Sequence, residues 1–427
     1  MKVYKEPAPN TWNELCERPQ LALEFLESAV RNVLDRVKKS GDDALRELTL
    51  QFDKVEIDQL QVTEAEVQDA MRTLSPELKQ AIQTAAENVE KFHAAQRRDV
   101  MKVETMPGVL CWRKGVAIDK VGIYIPGGSA PLFSTVLMLG VPARLAGCKE
   151  VVLCSPPDKQ GKINPAILFA ANLVGVTKMF KVGGAQAIGA LAFGTQSIPN
   201  VYKIFGPGNQ YVTKAKQLVM EEGLAIDMPA GPSEVLVMAD ESAEPAFVAA
   251  DLLSQAEHGE DSQVILVLNN ENLVKPIQQE IEKQLNALLR KAIAEKSLAH
   301  SRVVVFEKNE TALDFINDYA PEHLIINTRN ANEIADQIRN AGSVFIGNYS
   351  PEAIGDYASG TNHTLPTNGY ARAFAGVALE SFMKYITYQQ LNEEGIRKLG
   401  PVVEQMAEAE QLQGHKYAVT VRLEKLK

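Results

Sequence analysis

Apolar residues recur at three- and four-residue intervals through the first hundred positions. Leu26, Val30, Val33, Leu34 and Val37 form one such stripe, predicting a helix that stops at Gly41. Thr63, followed three residues later by Glu66, predicts a helix start with reciprocal capping. Ser75-Pro76 predicts a third helix, with Leu78, Ile82, Ala85, Val89 and Phe92 on one face. His93 is next to that stripe and reads as a solvated helix residue. From about residue 116 the texture changes to short β-branched runs: 116–125, 151–154, 179–182, 201–205, 234–238, 264–268, 302–306 and 324–326. Stretches of helical length separate most of them. This alternation predicts βαβ units and an α/β fold of mostly parallel sheets flanked by helices. So many strands fit two sheets better than one. The last fifty residues read as a polar helical tail, from Glu380 through Glu410, closing on Val419-Thr420-Val421-Arg422. No solenoid-type repeat or low-complexity tract interrupts the chain.

A chain of 427 residues exceeds one typical core, so two or more domains are expected. A net charge of −10 argues against nucleic acid or an anionic membrane surface as a partner. The start, Met1-Lys2-Val3-Tyr4-Lys5-Glu6-Pro7, lacks the apolar stretch of a signal peptide, and no run of about 18 apolar residues predicts a membrane span. Cys16, Cys111, Cys148 and Cys154 have no CxxC spacing, which predicts reduced thiols and a cytoplasmic setting.

The candidate chemistry lies in five polar clusters that hold four of the six histidines: Gln255-Ala256-Glu257-His258, Pro321-Glu322-His323, Gly355-Asp356, Asn362-His363, and Glu410 with His415. Imidazole, carboxylate and carboxamide groups gathered from distant positions would make a metal site with a spare acid/base pair. Gln255 and His258, three apart in a stretch read as helical from Asp251, can face one way. Glu322-His323 directly precedes the apolar run Leu324-Ile325-Ile326, placing a carboxylate and an imidazole at a sheet edge. Asp356 and His363 fall in a segment that reads as loop, Ser350 to His363, which suits a site carried on a rigid scaffold. His415, taken alone, would be an exposed residue on a polar helix.

Three glycine clusters follow strands: Gly127-Gly128-Ser129, Gly183-Gly184-Ala185-Gln186, and Gly206-Pro207-Gly208-Asn209. Each could bring backbone amides to phosphates, or simply make a tight turn. None is a GxGxxG fingerprint, and no GxxxxGK[ST] occurs. Neither Cys148 nor Cys154 has a basic partner nearby in sequence, so both read as structural thiols rather than nucleophiles. From the residues alone the chain is a metal-dependent α/β enzyme. A zinc hydrolase and a zinc-stabilised binding protein are the rival readings.

With these residues assembled, the chain closely resembles the L-histidinol dehydrogenases over essentially its whole length. The resemblance is carried by the segments 121–132, 204–209, 227–234 (Asp-Met-Pro-Ala-Gly-Pro-Ser-Glu) and 251–259, by Pro321-Glu322-His323-Leu324, by the Asp356 to His363 segment, and by the spacing of Glu410 and His415. It implies a zinc- and NAD-dependent oxidation of L-histidinol to L-histidine through histidinal, with one Zn2+ per subunit. It further implies Gln255, His258, Asp356 and His415 as metal ligands and Glu322 and His323 as the catalytic pair. Ser233, His363 and Glu410 would add substrate contacts, with Tyr124, Gln186 and Asn209 lining the NAD site. A homodimer whose partner's C-terminal tail completes each site is implied too. The expected organisation is an N-terminal extension (1–21), a discontinuous main domain (22–120 with 234–378), a second incomplete Rossmann-like domain (121–233) and a helical tail (379–427).

Overall fold

Val235, Leu236, Val237 and Met238 are all buried, which is how the central strand of a parallel sheet covered on both faces should read. The computed structural model, which describes residues 1–19, 23–127, 131–229 and 231–427, places this run within a six-stranded sheet. From edge to edge the strands are Lys2–Lys5, Arg302–Val305, Gln263–Leu268, Glu234–Ala239, His323–Asn327 and Ser343–Ile346, all parallel. Val235 and Val237 pack with Val248 and Leu252 of the helix Pro245–Ala256, while Leu236 and Met238 face Trp12, Phe315 and Tyr319. A second parallel sheet runs Lys178–Lys181, Glu150–Ser155, Lys120–Tyr124, Lys203–Phe205, Ala225–Ile226. The helix Phe133–Ala146, buried continuously from Ser134 to Ala143, packs on one face of it. Gly184–Phe193 and Leu23–Ser40 pack on the other. The expected α/β fold with mostly parallel, helix-flanked sheets is therefore present.

The local signals of the first hundred residues act as expected. Thr63 and Glu66 form the reciprocal cap, Ser75 accepts from the Leu78 N–H, and the first helix stops at Gly41, whose φ of +54° favours glycine. His93 is a correction, because it is fully buried rather than solvated. Its Nδ1 donates to the Val89 carbonyl (2.9 Å), and its Nε2 faces the Asn362 amide at 3.4 Å. Of its apolar stripe the helix Pro76–Ala94 buries Ile82, Ala85 and Val89 but leaves Phe92 45% exposed, while Asn88 and His93 pack against residues 358–362, with Asn88 donating to the Ala358 carbonyl.

The described chain packs as two compact units, residues 1–95 with 118–382, and residues 96–117 with 383–427. The first unit holds both parallel sheets. The helices of residues 23–94 share apolar clusters with the five-stranded sheet, Leu34 belonging with Ile188 to one and Val89 with Ile123 to another. Dividing this unit into domains at 121 and 233 is a proposal.

The second unit holds an antiparallel sheet, Met383–Leu391, Val109–Ala117 and Lys102–Met106, followed by the helices Glu393–Ala409 and Gln413–Lys425. This corrects two readings. The tail begins with a strand rather than a helix, and the run 116–125 is two strands, broken after Ala117, that go to different sheets. The antiparallel strands are largely solvated, so lysine, threonine and glutamine break up their apolar pattern. They hold together by cross-strand pairs, Trp112 stacked on Tyr388 at 5.2 Å and Arg113 over the Tyr385 ring. Gly128, Ser129 and Ala130 of the first glycine cluster, Ala230 of the 227–234 segment, and the boundary expected at 21/22 lie outside the described residues.

Candidate active site

Two sheet edges meet at one cavity. The amino edge of the six-stranded sheet contributes Ser233 and Glu322, each just before a strand. The carboxyl edge of the five-stranded sheet contributes Gly206 to Asn209 and Asp227, each just after one. Between them lies a cavity of ≈ 250 Å³ that is also lined by His258 and His363. The rule that α/β ligands sit at carboxyl edges thus holds for one sheet only. Glu322 and His323 were expected at a sheet edge, and the edge they occupy is the amino one.

Glu322 and His323 are both buried, with Nδ1 of the ring 3.6 Å from Glu322 Oε2. The backbone of Glu234 on the neighbouring strand holds both side chains. Its N–H donates to Glu322 Oε2 (2.9 Å), and its carbonyl accepts from His323 Nδ1 (3.3 Å). A carbonyl only accepts, so Nδ1 carries a proton, and in the neutral ring the lone pair is on Nε2. That Nε2 has no hydrogen-bond partner and lies 3.4 Å from Asp356 Oδ1. Burial raises the Glu322 carboxyl above its ordinary range. For His323 burial acts downward, but Glu352, Glu322 and Asp356 outweigh it and hold the imidazole well above its usual value. The same contact acts in reverse on Asp356: burial would raise its carboxyl, yet His323 and the other imidazoles hold it below its ordinary value.

Asp356 was read as part of a loop, but it belongs to the short helix Glu352–Tyr357. Glu352 begins that helix, is 1% exposed, and leaves Oε2 without a partner. Sequence reasoning missed it. One donor atom each from His258, Glu352 and Asp356 lie within 4.8 Å of one another. The signal was the i, i+4 spacing of Glu352 and Asp356, which sets two carboxylates on one helix face. Glu352 has a carboxyl raised well above the ordinary range, by burial first.

Gln255 sits in the last turn of Pro245–Ala256, a helix that packs on Glu352–Tyr357. It is 1% exposed, and both amide atoms lack partners. Leaving a carboxamide so is costly without a ligand, and an oxygen donor beside an imidazole and carboxylates suits a divalent cation. The helix ends before His258, which follows in a turn with its N–H on the Gln255 carbonyl (3.2 Å). This shortens the helical stretch read as reaching His258. Desolvation lowers the His258 pKa, which favours the neutral imidazole that a metal would need.

The remaining candidates separate. His363 lines the cavity with both nitrogens engaged, Nδ1 donating to the Asp356 carbonyl (2.7 Å) and Nε2 accepting from the Thr135 hydroxyl (3.0 Å). Asn209 also lines it, while its Oδ1 caps the helix Gln210–Glu221. Tyr124 and Gln186 are buried behind the glycine turns. The Tyr124 hydroxyl accepts from the Gly184 N–H (3.1 Å), and burial pushes its pKa up to about 12. Glu410 and His415 belong to the second unit, at the end of Glu393–Ala409 and within Gln413–Lys425, both exposed. Cys16, Cys148 and Cys154 carry no activated thiol, since burial raises Cys154 strongly, Cys148 to about 12 and Cys16 to about 11.

A sequence profile described as histidinol dehydrogenase matches residues 16–423. The chain belongs to the histidinol dehydrogenase family. It is 60% identical over 427 residues to the histidinol dehydrogenase of Bacteroides fragilis strain YCH46, covering all of both chains. It is 52% identical to that of Pectobacterium atrosepticum, covering 97% of this chain and 93% of that one. The crystal structure of histidinol dehydrogenase from Elizabethkingia anophelis superposes with a TM-score of 0.97 at 55% identity, covering 100% of this chain and 98% of the other. Membership makes the chain an oxidoreductase and sets aside the zinc-hydrolase and binding-protein readings.

Proposed function

We propose that this chain oxidises L-histidinol to L-histidine through the aldehyde, using two NAD molecules in succession and one zinc ion per subunit. The observation that supports it most is the grouping of His258, Glu352 and Asp356 within 4.8 Å, next to the Glu322–His323 pair. Gln255, His258 and Asp356 would hold the metal, with His415 of a second subunit's tail as a further ligand and Glu410 reaching the substrate. Zinc bound there would orient the substrate's imidazole and amine and polarise the reacting oxygen.

The protein's own groups account for the proton movements. Once a bound cation neutralises the carboxylates that otherwise keep its ring protonated, His323, fixed by the Glu234 carbonyl, would present Nε2 to take the alcohol proton as hydride leaves the carbinol carbon for NAD. Carboxylates around the ring then stabilise the imidazolium. Glu322, raised toward the working pH by burial, takes a proton from the water that adds to the aldehyde. The gem-diol gives its hydride to the second NAD, leaving the carboxylate with the water's oxygen. Ser233 and His363 line the cavity as substrate contacts, and Asn209 marks the dinucleotide end, with Tyr124 and Gln186 supporting the turns behind it. No thiol is needed, in keeping with the unactivated cysteines. Four free cysteines suit a reducing, cytoplasmic setting, and no helix among the described residues is long and apolar enough to cross a membrane. A homodimer is part of this reading.

The test is direct. Metal-loaded protein given histidinol and excess NAD should form two NADH per histidinol, read by absorbance. No NADH, or a single equivalent with the aldehyde as final product, would overturn it.

A further inference from the structure

Outside the groups used above, a buried ion pair lies in the wall of the same cavity. Lys216, on the helix Gln210–Glu221, and Asp227, just after the last strand of the five-stranded sheet, meet with side chains 4% and 1% exposed. Both line the cavity. Between them they satisfy both backbone groups of Gly206. Lys216 Nζ donates to the Gly206 carbonyl (2.9 Å), and Asp227 Oδ2 accepts from the Gly206 N–H (2.8 Å). Asp227 Oδ1 also accepts from the Met228 N–H (2.8 Å). Gly206 has φ +129°, and a Cβ there would lie 2.1 Å from the Tyr124 carbonyl oxygen. One ion pair therefore pins a turn that only glycine can make, at the point where the strand ends and the cavity begins. An apolar pair would usually serve stability as well, so buried charges at this point mark a geometry being held.

The geometry points to Lys216 and Asp227 as positioning residues for the dinucleotide, holding Gly206 to Asn209 at the height where the nicotinamide end must face the carbinol carbon. This rests on the reading above that NAD occupies the Gly206–Asn209 turn. Neither residue touches the reacting atoms. Their loss should weaken use of NAD while leaving histidinol and metal in place.

The experiment uses the metal-loaded full chain carrying Lys216→Met, the double variant Lys216→Met/Asp227→Asn, which strands no buried charge, and Gly206→Ala. For each, the KM for NAD, the KM for histidinol, zinc content and thermal melting are measured. The proposal expects the NAD KM to rise at least about tenfold in the folded double variant, with the histidinol KM and zinc content unchanged within about twofold. If Lys216→Met fails to fold, the double variant decides. An unchanged NAD KM in the double variant, with Gly206→Ala raising it, would overturn the positioning role and leave the NAD site standing. An unchanged NAD KM in Gly206→Ala as well would overturn both. Equal rises for NAD and histidinol would reduce the pair to a structural pin and so overturn the proposal.

Discussion

Replacing Glu322 by Gln is expected to split the reaction, keeping alcohol oxidation within severalfold while slowing aldehyde oxidation by about 10²–10⁴. The substitution is nearly isosteric, and the amide oxygen can still accept the Glu234 N–H that holds the side chain (2.9 Å in the native protein). The capacity to take a proton from water is lost. The first oxidation draws instead on His323, whose Nδ1 stays on the Glu234 carbonyl in the variant. Single-turnover NADH formation from histidinol and, separately, from the aldehyde checks this, with an aldehyde trap in the first assay. Equal losses in both would show that the two residues do not divide the work in this way.

Replacing His258 by Asn is expected to leave the protein folded, free of zinc, and slower by roughly three orders of magnitude, since a metal of this kind supplies several kcal/mol to the transition state. The ring contributes little to the core: it lies past the end of its helix and is exposed. Asparagine keeps a polar side chain but not the imidazole, leaving carboxylates that need a neutralising partner. Measured against the zinc-free native protein, thermal melting should shift little, while zinc counted on the purified variant falls well below one per chain. Stoichiometric zinc in the variant would remove His258 from the ligand set.

Much of this architecture is legible in the sequence, for a physical reason. Runs such as Val264 to Leu268 and Leu324 to Ile326 are buried on both faces, so they are written as unbroken apolar strings, short and β-branched enough to read as strands. Met383–Leu391 obeys the opposite condition. Solvent on most of its surface allowed Lys384, Thr387, Gln389 and Gln390, and its apolar residues are those of a polar helix as much as of a strand. His93 was misread because an apolar stripe shows only which face meets a core. It does not show that a neighbouring segment will bury the residue beside it.

The site was legible in its parts and less so in its assembly. Gln255, His258, Glu322, His323 and Asp356 stand out as polar residues in apolar or turn-rich surroundings. Glu352 stood in a quoted segment and passed unnoticed, because a segment read as loop has no faces on which to place two carboxylates. Nothing in the sequence pairs Lys216 with Asp227, eleven positions apart on either side of a helix end. Only the closing of the sheet brings them to Gly206.

The measurement that bears most directly on the account is anomalous scattering at the zinc edge from crystals of the zinc-loaded protein. One strong peak per subunit, bonded to Gln255, His258 and Asp356 and facing the cavity lined by Glu322, is the expected result. A fully loaded crystal whose zinc binds elsewhere, with Gln255 still unligated, would contradict it.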